Sequence, residues 1–214
     1  MNALDKIAGI GILPVIAVPS ADAAVPLASA LVRGGVPAIE VTFRNPWAAD
    51  AVAAIRAAHP QMAIGAGTIL KEGQIAAAKA AGADFLVAPG LDADIVRAAQ
   101  AEGMPIVPGV TNPSEITAAI KLGLATLKFF PAEISGGVAA LTLYHGPFPD
   151  IQFVPTGGMT FDNIASYLAK PFVAACGGSY MAKTADIKAG EWDKIEANCR
   201  RCAEIARSAR ANIR

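Results

Sequence analysis

Hydrophobic positions along the chain follow two alternating patterns. Short, nearly continuous apolar runs have the length and composition of buried parallel strands. Eight such runs follow one another at regular intervals: ILPVIAV, AIEVTF, AIGAGTI, FLVAP, PIVPGV, ATLKFF, QFVPTGG and VAACGGS. Between several of them, alanine-rich segments repeat apolar residues with the period of an amphipathic helix, as in ADAAVPLASALVRGG, NPWAADAVAAIRAAH, EGQIAAAKAAG and DADIVRAAQAEG.

The residues at the ends of the helical segments agree with this division. Candidate N-terminal caps are Ser20, Asn45, Asp92, Asn112 and Thr160, and candidate C-terminal glycines are Gly34, Gly82, Gly103 and Gly123. Eight strand–helix units predict a single-domain (β/α)8 TIM barrel over residues 1–214. A doubly wound open sheet is the alternative, but no G-x-G-x-x-G motif opens a helix after the first strand.

Composition narrows the possible partners. Hydrophobic residues make up 54% of the 214 residues, and the 18 basic residues balance the 18 acidic ones. This balance argues against nucleic acid or an anionic membrane surface as a partner. The N-terminal stretch contains Asp5 and Pro14, so it is interpreted as leading into a first core strand rather than as a signal peptide. No apolar run reaches the roughly 18 residues of a membrane helix, and we expect a cytoplasmic protein.

Three cysteines fit a reducing compartment. Cys199 and Cys202 form a C-x-x-C pair inside the helical stretch EWDKIEANCRRCAEIARSAR. No second pair or nearby histidine accompanies them, so the pattern favours two small residues on the buried face of a helix over redox or zinc chemistry.

Charged residues inside the predicted strands are the main functional signal. Glu40 and Lys128 lie within strand-like runs, and Arg44 ends the second run. Because side chains alternate along a strand, Glu40, Thr42 and Arg44 share one face. Thr126, Lys128 and Phe130 share a face in the same way. If both polar faces point into the barrel, a lysine and a glutamate meet in a confined space near its carboxyl-terminal mouth.

Two interpretations of this pair remain open. A structural ion pair is one, although a buried pair contributes little stability because desolvation offsets the attraction. The other is that burial favours the neutral form of an amine, which attacks a carbonyl to form a Schiff base with the carboxylate moving protons nearby. The second interpretation gives the lysine a chemical role.

Glycine-rich turns after the last two strands predict an anion site. PTGGMT spans residues 155–160, and CGGSYM spans 176–181. Glycine pairs let backbone N–H groups approach an anion, and loops after strands 7 and 8 hold phosphate in many barrels. Hydroxyls of Thr156 and Ser179 and the charge of Arg44 would add to such a site, whereas two ordinary turns are the alternative. After strands three and four, GAGT and APG offer small residues that leave room for a ligand and the hydroxyl of Thr68.

These motifs together resemble the 2-keto-3-deoxy-6-phosphogluconate (KDPG) aldolase family, class I enzymes of the Entner–Doudoroff pathway. IEVTFR, GAGT, APG, KFFPAE, PTGG and GGS carry the resemblance in the family's order over most of the chain. The resemblance implies a lyase with Lys128 as Schiff-base residue and Glu40 as general acid/base. Its implied substrate-binding residues are Arg44, Thr68, Pro89, Phe130 and Thr156, and its implied phosphate-binding residues are Arg44, Gly157, Gly158, Gly178 and Ser179. It also implies a homotrimer acting on a phosphorylated keto acid and pyruvate, with no metal or cofactor.

Several alternatives remain open. The same chemistry would serve 4-hydroxy-2-oxoglutarate (KHG) or 2-keto-3-deoxy-6-phosphogalactonate. A metal-dependent phosphosugar epimerase would need ligands at strand ends, but the two histidines, His59 and His145, fall outside the predicted strands. A non-catalytic barrel that binds a phosphorylated ligand explains the glycines and Arg44 but leaves Lys128 without a role.

Overall fold

The computed structural model describes residues 2–211 and 213. Its strands are β1 (Ile12–Ile16), β2 (Ala38–Thr42), β3 (Ala63–Gly67), β4 (Phe85–Val87), β5 (Ile106–Val107), β6 (Gly109–Val110), β7 (Thr126–Phe129), β8 (Gln152–Pro155) and β9 (Cys176–Gly178). Its helices are α1 (Ala3–Ile10), α2 (Ala24–Arg33), α3 (Ala48–Ala58), α4 (Glu72–Ala80), α5 (Ala93–Ala101), α6 (Pro113–Lys121), α7 (Gly137–His145), α8 (Ile164–Leu168), α9 (Thr184–Lys188) and α10 (Trp192–Ala211). Strands and helices alternate along most of the described chain, which makes this an α/β fold.

All paired strands are parallel and form a curled sheet in two hydrogen-bonded sections. The six-stranded section has the order β5-β4-β3-β2-β1-β9, and the three-stranded section has the order β6-β7-β8. Pro108 lies between β5 and β6, where a missing N–H interrupts the ladder, yet its carbonyl accepts a hydrogen bond from Lys128 N at 2.9 Å. Bridges between Phe153 and Val173 and between Thr156 and Gly177 join the other two edges.

The predicted strands are confirmed as elements. Each of the eight apolar runs contains an observed strand, and the fifth run is divided in two by Pro108. No described helix is long and apolar enough to cross a membrane.

Apolar side chains pack on both faces of the sheet. The larger cluster lies between the sheet and the surrounding helices and includes Ile39, Val41, Leu127 and Phe129. A smaller cluster fills the inside of the curl, with Leu13, Phe85, Val107 and Val154 among its members and Ile7 of α1 joining it. Helix α1 therefore covers the amino-terminal ends of the strands.

Helix α1 is the main element that the apolar pattern did not predict. The sequence suggested only a first core strand, but a helix precedes that strand and carries a capping box between Asn2 and Asp5. Gly11 ends the helix at φ 80°, a conformation that glycine adopts without strain. The guanidinium of Arg210 on α10 donates hydrogen bonds to the carbonyls of Ala8, Gly9 and Ala174, which fixes the end of α1.

The predicted helix caps have mixed outcomes. The caps Asp92 and Asn112 are confirmed, since both side chains accept hydrogen bonds from backbone N–H groups of their helices. Ser20 precedes a short 3-10 helix and makes no side-chain cap. Asn45 instead donates to the carbonyl of Val18 at 3.0 Å, and α3 begins later, at Ala48. Thr160 caps a turn that leads into α8 rather than the helix itself.

Candidate active site

A buried lysine and a buried glutamate meet inside the curled sheet. Lys128 Nζ on β7 lies 3.4 Å from Glu40 Oε1 on β2. Lys128 is 6% exposed and Glu40 is 1% exposed. Both strands present these residues inward because their flanking residues Ile39, Val41, Leu127 and Phe129 belong to the outer apolar layer. An amine and a carboxylate held this way can exchange a proton with each other and with a bound carbonyl compound.

A glycine on the neighbouring strand makes room for the carboxylate. A Cβ atom added at Gly67 of β3 would lie 2.1 Å from Glu40 Oε1 and 2.7 Å from its Cδ. No side chain could occupy that space with Glu40 in place. The sequence predicted that the small residues of GAGT leave room for a ligand, whereas the structure shows that Gly67 accommodates a side chain of the protein.

The end of β2 continues the polar face. Thr42 is 1% exposed, and its Oγ1 accepts a hydrogen bond from Arg44 Nε at 3.2 Å. Arg44 itself is exposed. In the sheet order, β1 separates β2 from β9, so Arg44 begins about 10 Å from the turn that follows β9. A ligand with anionic groups at both ends could span that distance.

Phe130 follows Lys128 on the same polar face. Lys128 Nζ lies 5.2 Å from the centre of the Phe130 ring, within the range of a cation–π contact. Phe130 is half-buried, so its ring lies beside the path by which a ligand would approach the amine.

The two glycine-rich turns lie side by side. Thr156 bridges to Gly177 across the junction of β8 and β9, and a Cβ at Gly177 would lie 2.3 Å from Thr156 Oγ1. Gly157 and Gly158 have φ values of 96° and 82°, in the region that favours glycine. Gly178 is half-buried and Ser179 is exposed. Backbone N–H groups and the exposed Ser179 hydroxyl are therefore available near the surface, which suits an anionic group, while the buried Thr156 hydroxyl donates to Val154 O at 3.3 Å.

Thr68 and Pro89 occupy constrained positions after β3 and β4. Thr68 has a φ of 60°, a conformation that costs a residue other than glycine about 1–3 kcal/mol and often marks functional sites. Pro89 packs tightly, because a Cβ added at Gly109 would lie 2.0 Å from its carbonyl oxygen. Thr68 follows β3, which neighbours β2, and Pro89 follows β4, which neighbours β5. Both residues therefore lie where the parallel strands end.

Glu133 and Tyr167 form a pair that supports the 155–158 turn and that the sequence did not predict. Glu133 N donates to Gly157 O at 3.2 Å, and Tyr167 OH donates to the Glu133 carboxylate. Burial, and then the Glu133 carboxylate, raise the pKa of Tyr167, which keeps its hydroxyl protonated as the donor. The glutamate that ends KFFPAE was the available signal, but nothing in the sequence identified its partner on α8.

The residues considered for metal or redox chemistry lie away from this site. His59 follows α3 and pairs with Ser29 Oγ at 2.9 Å, and His145 stacks on Phe172. Cys199 and Cys202 are buried on α10, and both thiols are free. Within residues 2–211 and 213, no group of three or more His, Cys, Asp or Glu side chains is placed to hold a metal ion.

Comparisons with known proteins agree with one another. The sequence model of the KDPG and KHG aldolases matches residues 4–198. The chain is 44% identical to 2-dehydro-3-deoxy-phosphogluconate aldolase of Haemophilus influenzae, over 90% of this chain and 91% of that protein. It is 41% identical to the KHG/KDPG aldolase of Escherichia coli, over 92% of each chain.

A solved structure extends the similarity to three dimensions. KDPG aldolase from Legionella pneumophila, crystallised with pyruvate captured as a covalent carbinolamine intermediate, superposes with a TM-score of 0.89 and 36% identity. The match covers 94% of this chain and 97% of that one. The chain belongs to the KDPG and KHG aldolase family.

Proposed function

We propose that the protein is a class I aldolase that cleaves KDPG to pyruvate and D-glyceraldehyde 3-phosphate through a Schiff base on Lys128. The observation that carries this proposal is the 3.4 Å contact between the buried Lys128 amine and the Glu40 carboxylate. A pair contributing only to stability could be replaced by apolar residues at little cost. Relatives named for this activity, at 40–44% identity, support the same substrate.

The chemistry begins at the amine. Neutral Lys128 Nζ attacks the C2 ketone of the substrate, and the resulting carbinolamine loses water to form an iminium. The iminium draws the electron pair of the C3–C4 bond as that bond breaks and becomes an enamine. The iminium is the electron sink, so the proposed mechanism calls for no metal ion or cofactor.

Glu40 moves the protons in this scheme. Its carboxylate, directly or through a water molecule, takes the proton of the C4 hydroxyl as the aldehyde forms. Glyceraldehyde 3-phosphate leaves, and the enamine is then protonated at C3. Hydrolysis of the new iminium releases pyruvate and restores Lys128. Gly67 supports this role because it lets the carboxylate lie against the β3 backbone.

Binding of the substrate is assigned to the edge where the strands end. Thr156, Gly157, Gly158, Gly178 and Ser179 would surround the phosphate, using backbone N–H groups and hydroxyls. Arg44 and Thr68 would bind the keto-acid portion, and Arg44 would also contribute charge toward the phosphate. Pro89 and Phe130 would line the pocket. The adjacency of the two glycine-rich turns supports the phosphate assignment.

Membership of this family also supports a proposal for the complete fold and for the assembly. We infer one (β/α)8 barrel domain over residues 1–214, supported by eight strand positions once β5 and β6 are taken as one interrupted strand. A homotrimer is proposed as well. Ile134 and Leu143 are 86% and 76% exposed, and such apolar surface suits contact with another copy. Three free thiols fit a cytoplasmic protein.

KHG is the second candidate substrate, because the Escherichia coli relative bears both names. It lacks a phosphate, so the ratio of kcat/KM for the two substrates measures what the glycine-rich turns contribute. Phosphogalactonate differs from KDPG in stereochemistry at C4, and the same comparison with that sugar acid tests it. A large preference for KDPG supports the first assignment.

Reductive trapping tests the proposed function most directly. Borohydride added with pyruvate converts a Schiff base into a stable secondary amine, and peptide mapping locates it. We expect one adduct, on Lys128. An adduct on another lysine, or none, would refute the assignment, and binding of product without turnover would favour a non-catalytic protein.

A further inference from the structure

A cavity of about 230 Å³ lies inside the curled sheet on the amino-terminal side of the lysine. Lys128 and Glu40 form part of its wall. Most of the remaining wall is apolar, from Leu13, Phe85 and Val154 of the sheet and from Leu4, Ile7 and Ala8 of α1. The cavity therefore reaches the lysine–glutamate pair from the end of the sheet opposite to Thr156 and the glycine-rich turns.

Two polar side chains stand at the far end of this cavity. Thr126 and Gln152 are register partners at the starts of β7 and β8, and both line the cavity. Both are half-buried, and neither side chain has a hydrogen-bond partner among the described residues. Thr126 lies two residues before Lys128, a separation of about 6.6 Å along a strand. The distance between these polar groups and the amine is thus about the length of one six-membered ring.

The charged side chains around the cavity disfavour binding of a charged ligand. Lys128 and Glu40, two of the three titratable side chains that line the cavity, are already paired with each other. Asp5 lies on an exposed part of α1 at the rim, where its carboxylate accepts a hydrogen bond from Asn2 N at 3.1 Å. A charged ligand would lose its hydration in this cavity without gaining a free counter-ion. The opposite end of the sheet, with Arg44 and the glycine-rich turns, suits anions.

We propose that this cavity is a second binding site, for a small neutral molecule with one apolar ring and one hydroxyl or carbonyl group. The ring would lie among Leu13, Phe85 and Val154, and the polar group would hydrogen-bond to Thr126 and Gln152. An apolar protein cavity of about 150 Å³ holds benzene, so the larger space here accommodates a ring with a polar substituent. Exposure of Asp5 shows where the cavity reaches the surface, beside α1.

Location of a heavy-atom probe is the primary test. Crystals of the protein soaked with 4-bromophenol should show an anomalous bromine peak between α1 and Lys128. A bromine peak elsewhere, or no peak at a saturating concentration, would overturn the proposal. This measurement does not depend on catalysis, so it stands even if the proposed aldolase activity fails.

Variants then test the walls in solution. Ala8→Leu extends a side chain from α1 into the cavity, and we expect phenol to bind at least about tenfold more weakly, a change of about 1.4 kcal/mol. Ala57→Leu makes the same change on the exposed surface of α3 and should leave phenol affinity unchanged. Unchanged affinity in Ala8→Leu contradicts the proposal. If Ala8→Leu does not fold, the bromine position alone decides.

The polar end of the cavity has its own control. Thr126→Val removes one hydroxyl at nearly constant volume, so it should weaken phenol binding but leave toluene binding unaffected. Equal effects on the two ligands would remove Thr126 from the site. A bound phenol would also lie against Lys128, and phenol should slow borohydride trapping of pyruvate. That last expectation rests on the proposed function; no trapping in the absence of phenol would refute the function and not the cavity site.

Discussion

Lys128 Nζ lies 3.4 Å from Glu40 Oε1, although the two residues are 88 positions apart in the sequence. Their side chains are 7% and 2% exposed. Removing one partner of a buried pair leaves the other without compensation and costs about 3–5 kcal/mol. The variants of these two residues below therefore keep the size of the side chain, and a stability measurement beside each rate distinguishes a loss of catalysis from a loss of folding.

Lys128→Met should abolish turnover, and it should also lower the unfolding free energy by about 3–5 kcal/mol because Glu40 loses its partner. Methionine fills the same narrow space without an amine, so no Schiff base can form. We expect kcat to fall on the order of 10³- to 10⁶-fold, as for loss of a nucleophile. Steady-state assays measure kcat, and circular dichroism checks the fold. Lys121→Ala, at the exposed end of α6, is the matched control and should keep full activity.

Glu40→Gln should slow catalysis far more than it weakens folding. The amide keeps the shape of the carboxylate but cannot accept the C4 hydroxyl proton, so we expect kcat to fall about 10²- to 10⁴-fold. Pyruvate should still be trapped on Lys128 by borohydride, though slowly. Unchanged turnover would exclude Glu40 from proton transfer.

Gly67→Ala should act through Glu40 without touching substrate. The added Cβ would lie 2.1 Å from Glu40 Oε1, so the carboxylate must move. A displacement of about 1 Å in a catalytic group can cost about a hundredfold in rate, and we expect a loss in kcat of that order.

Gly73→Ala is the control for this change. Nothing lies within 4 Å of a Cβ at Gly73 on α4, and alanine there should raise helix stability by about 0.5–1 kcal/mol. Full activity in Gly73→Ala with low activity in Gly67→Ala would establish the steric cause. Equal activity in the two variants would show that Glu40 tolerates displacement.

Arg44→Ala should weaken binding of the phosphorylated substrate. A hydrogen bond to a charged group contributes about 1.5–3 kcal/mol, so KM for KDPG should rise about 10- to 100-fold while KM for KHG changes less. Arg97→Ala, on the exposed surface of α5, serves as control. An equal rise for both substrates would assign Arg44 to the keto-acid portion alone and remove it from the phosphate site.

Buried thiols should make the free energy of unfolding fall at high pH. Burial raises the pKa of Cys199 and of Cys202 from 9.0 to about 12. Between these values the unfolded chain binds fewer protons than the folded one, so each thiol lowers the unfolding free energy by about 1.4 kcal/mol per pH unit. The loss begins near pH 9, and below that pH these thiols contribute no pH dependence.

Urea unfolding under reducing conditions at pH 8, 9 and 10 measures this slope. Cys202→Ala should make the decline above pH 9 shallower by up to one thiol's contribution. An identical slope in the variant would show that Cys202 titrates alike in both states. Both cysteines should also resist thiol reagents at neutral pH until the protein unfolds.

The apolar pattern predicted the strands well because continuous buried runs are a local signal. It also predicted the polar face of β2, since side-chain alternation follows directly from strand geometry. The distance between Glu40 and Lys128 depends on how the sheet curls, which local sequence does not encode. Side-chain alternation could therefore predict that both residues point inward, but it could not predict how close they lie.

Other features were beyond local inference. Helix α1 was missed because its short amphipathic pattern merges with the apolar start of β1. The role of Gly67 depends on a side chain from a neighbouring strand, and the Glu133–Tyr167 pair joins segments 34 residues apart. Asn45 as a helix cap was wrong because α3 begins only at Ala48, and the Asn45 side-chain amide instead donates to Val18 O.

The interruption at Pro108 has a mechanical consequence. Glu40 belongs to the six-stranded section of the sheet and Lys128 to the three-stranded section. The two sections meet at the Pro108 peptide and at a pair of isolated bridges. Shear between the sections would change the gap between the Lys128 amine and the Glu40 carboxylate, so the Pro108 peptide and the two bridges bear directly on the geometry proposed for proton transfer.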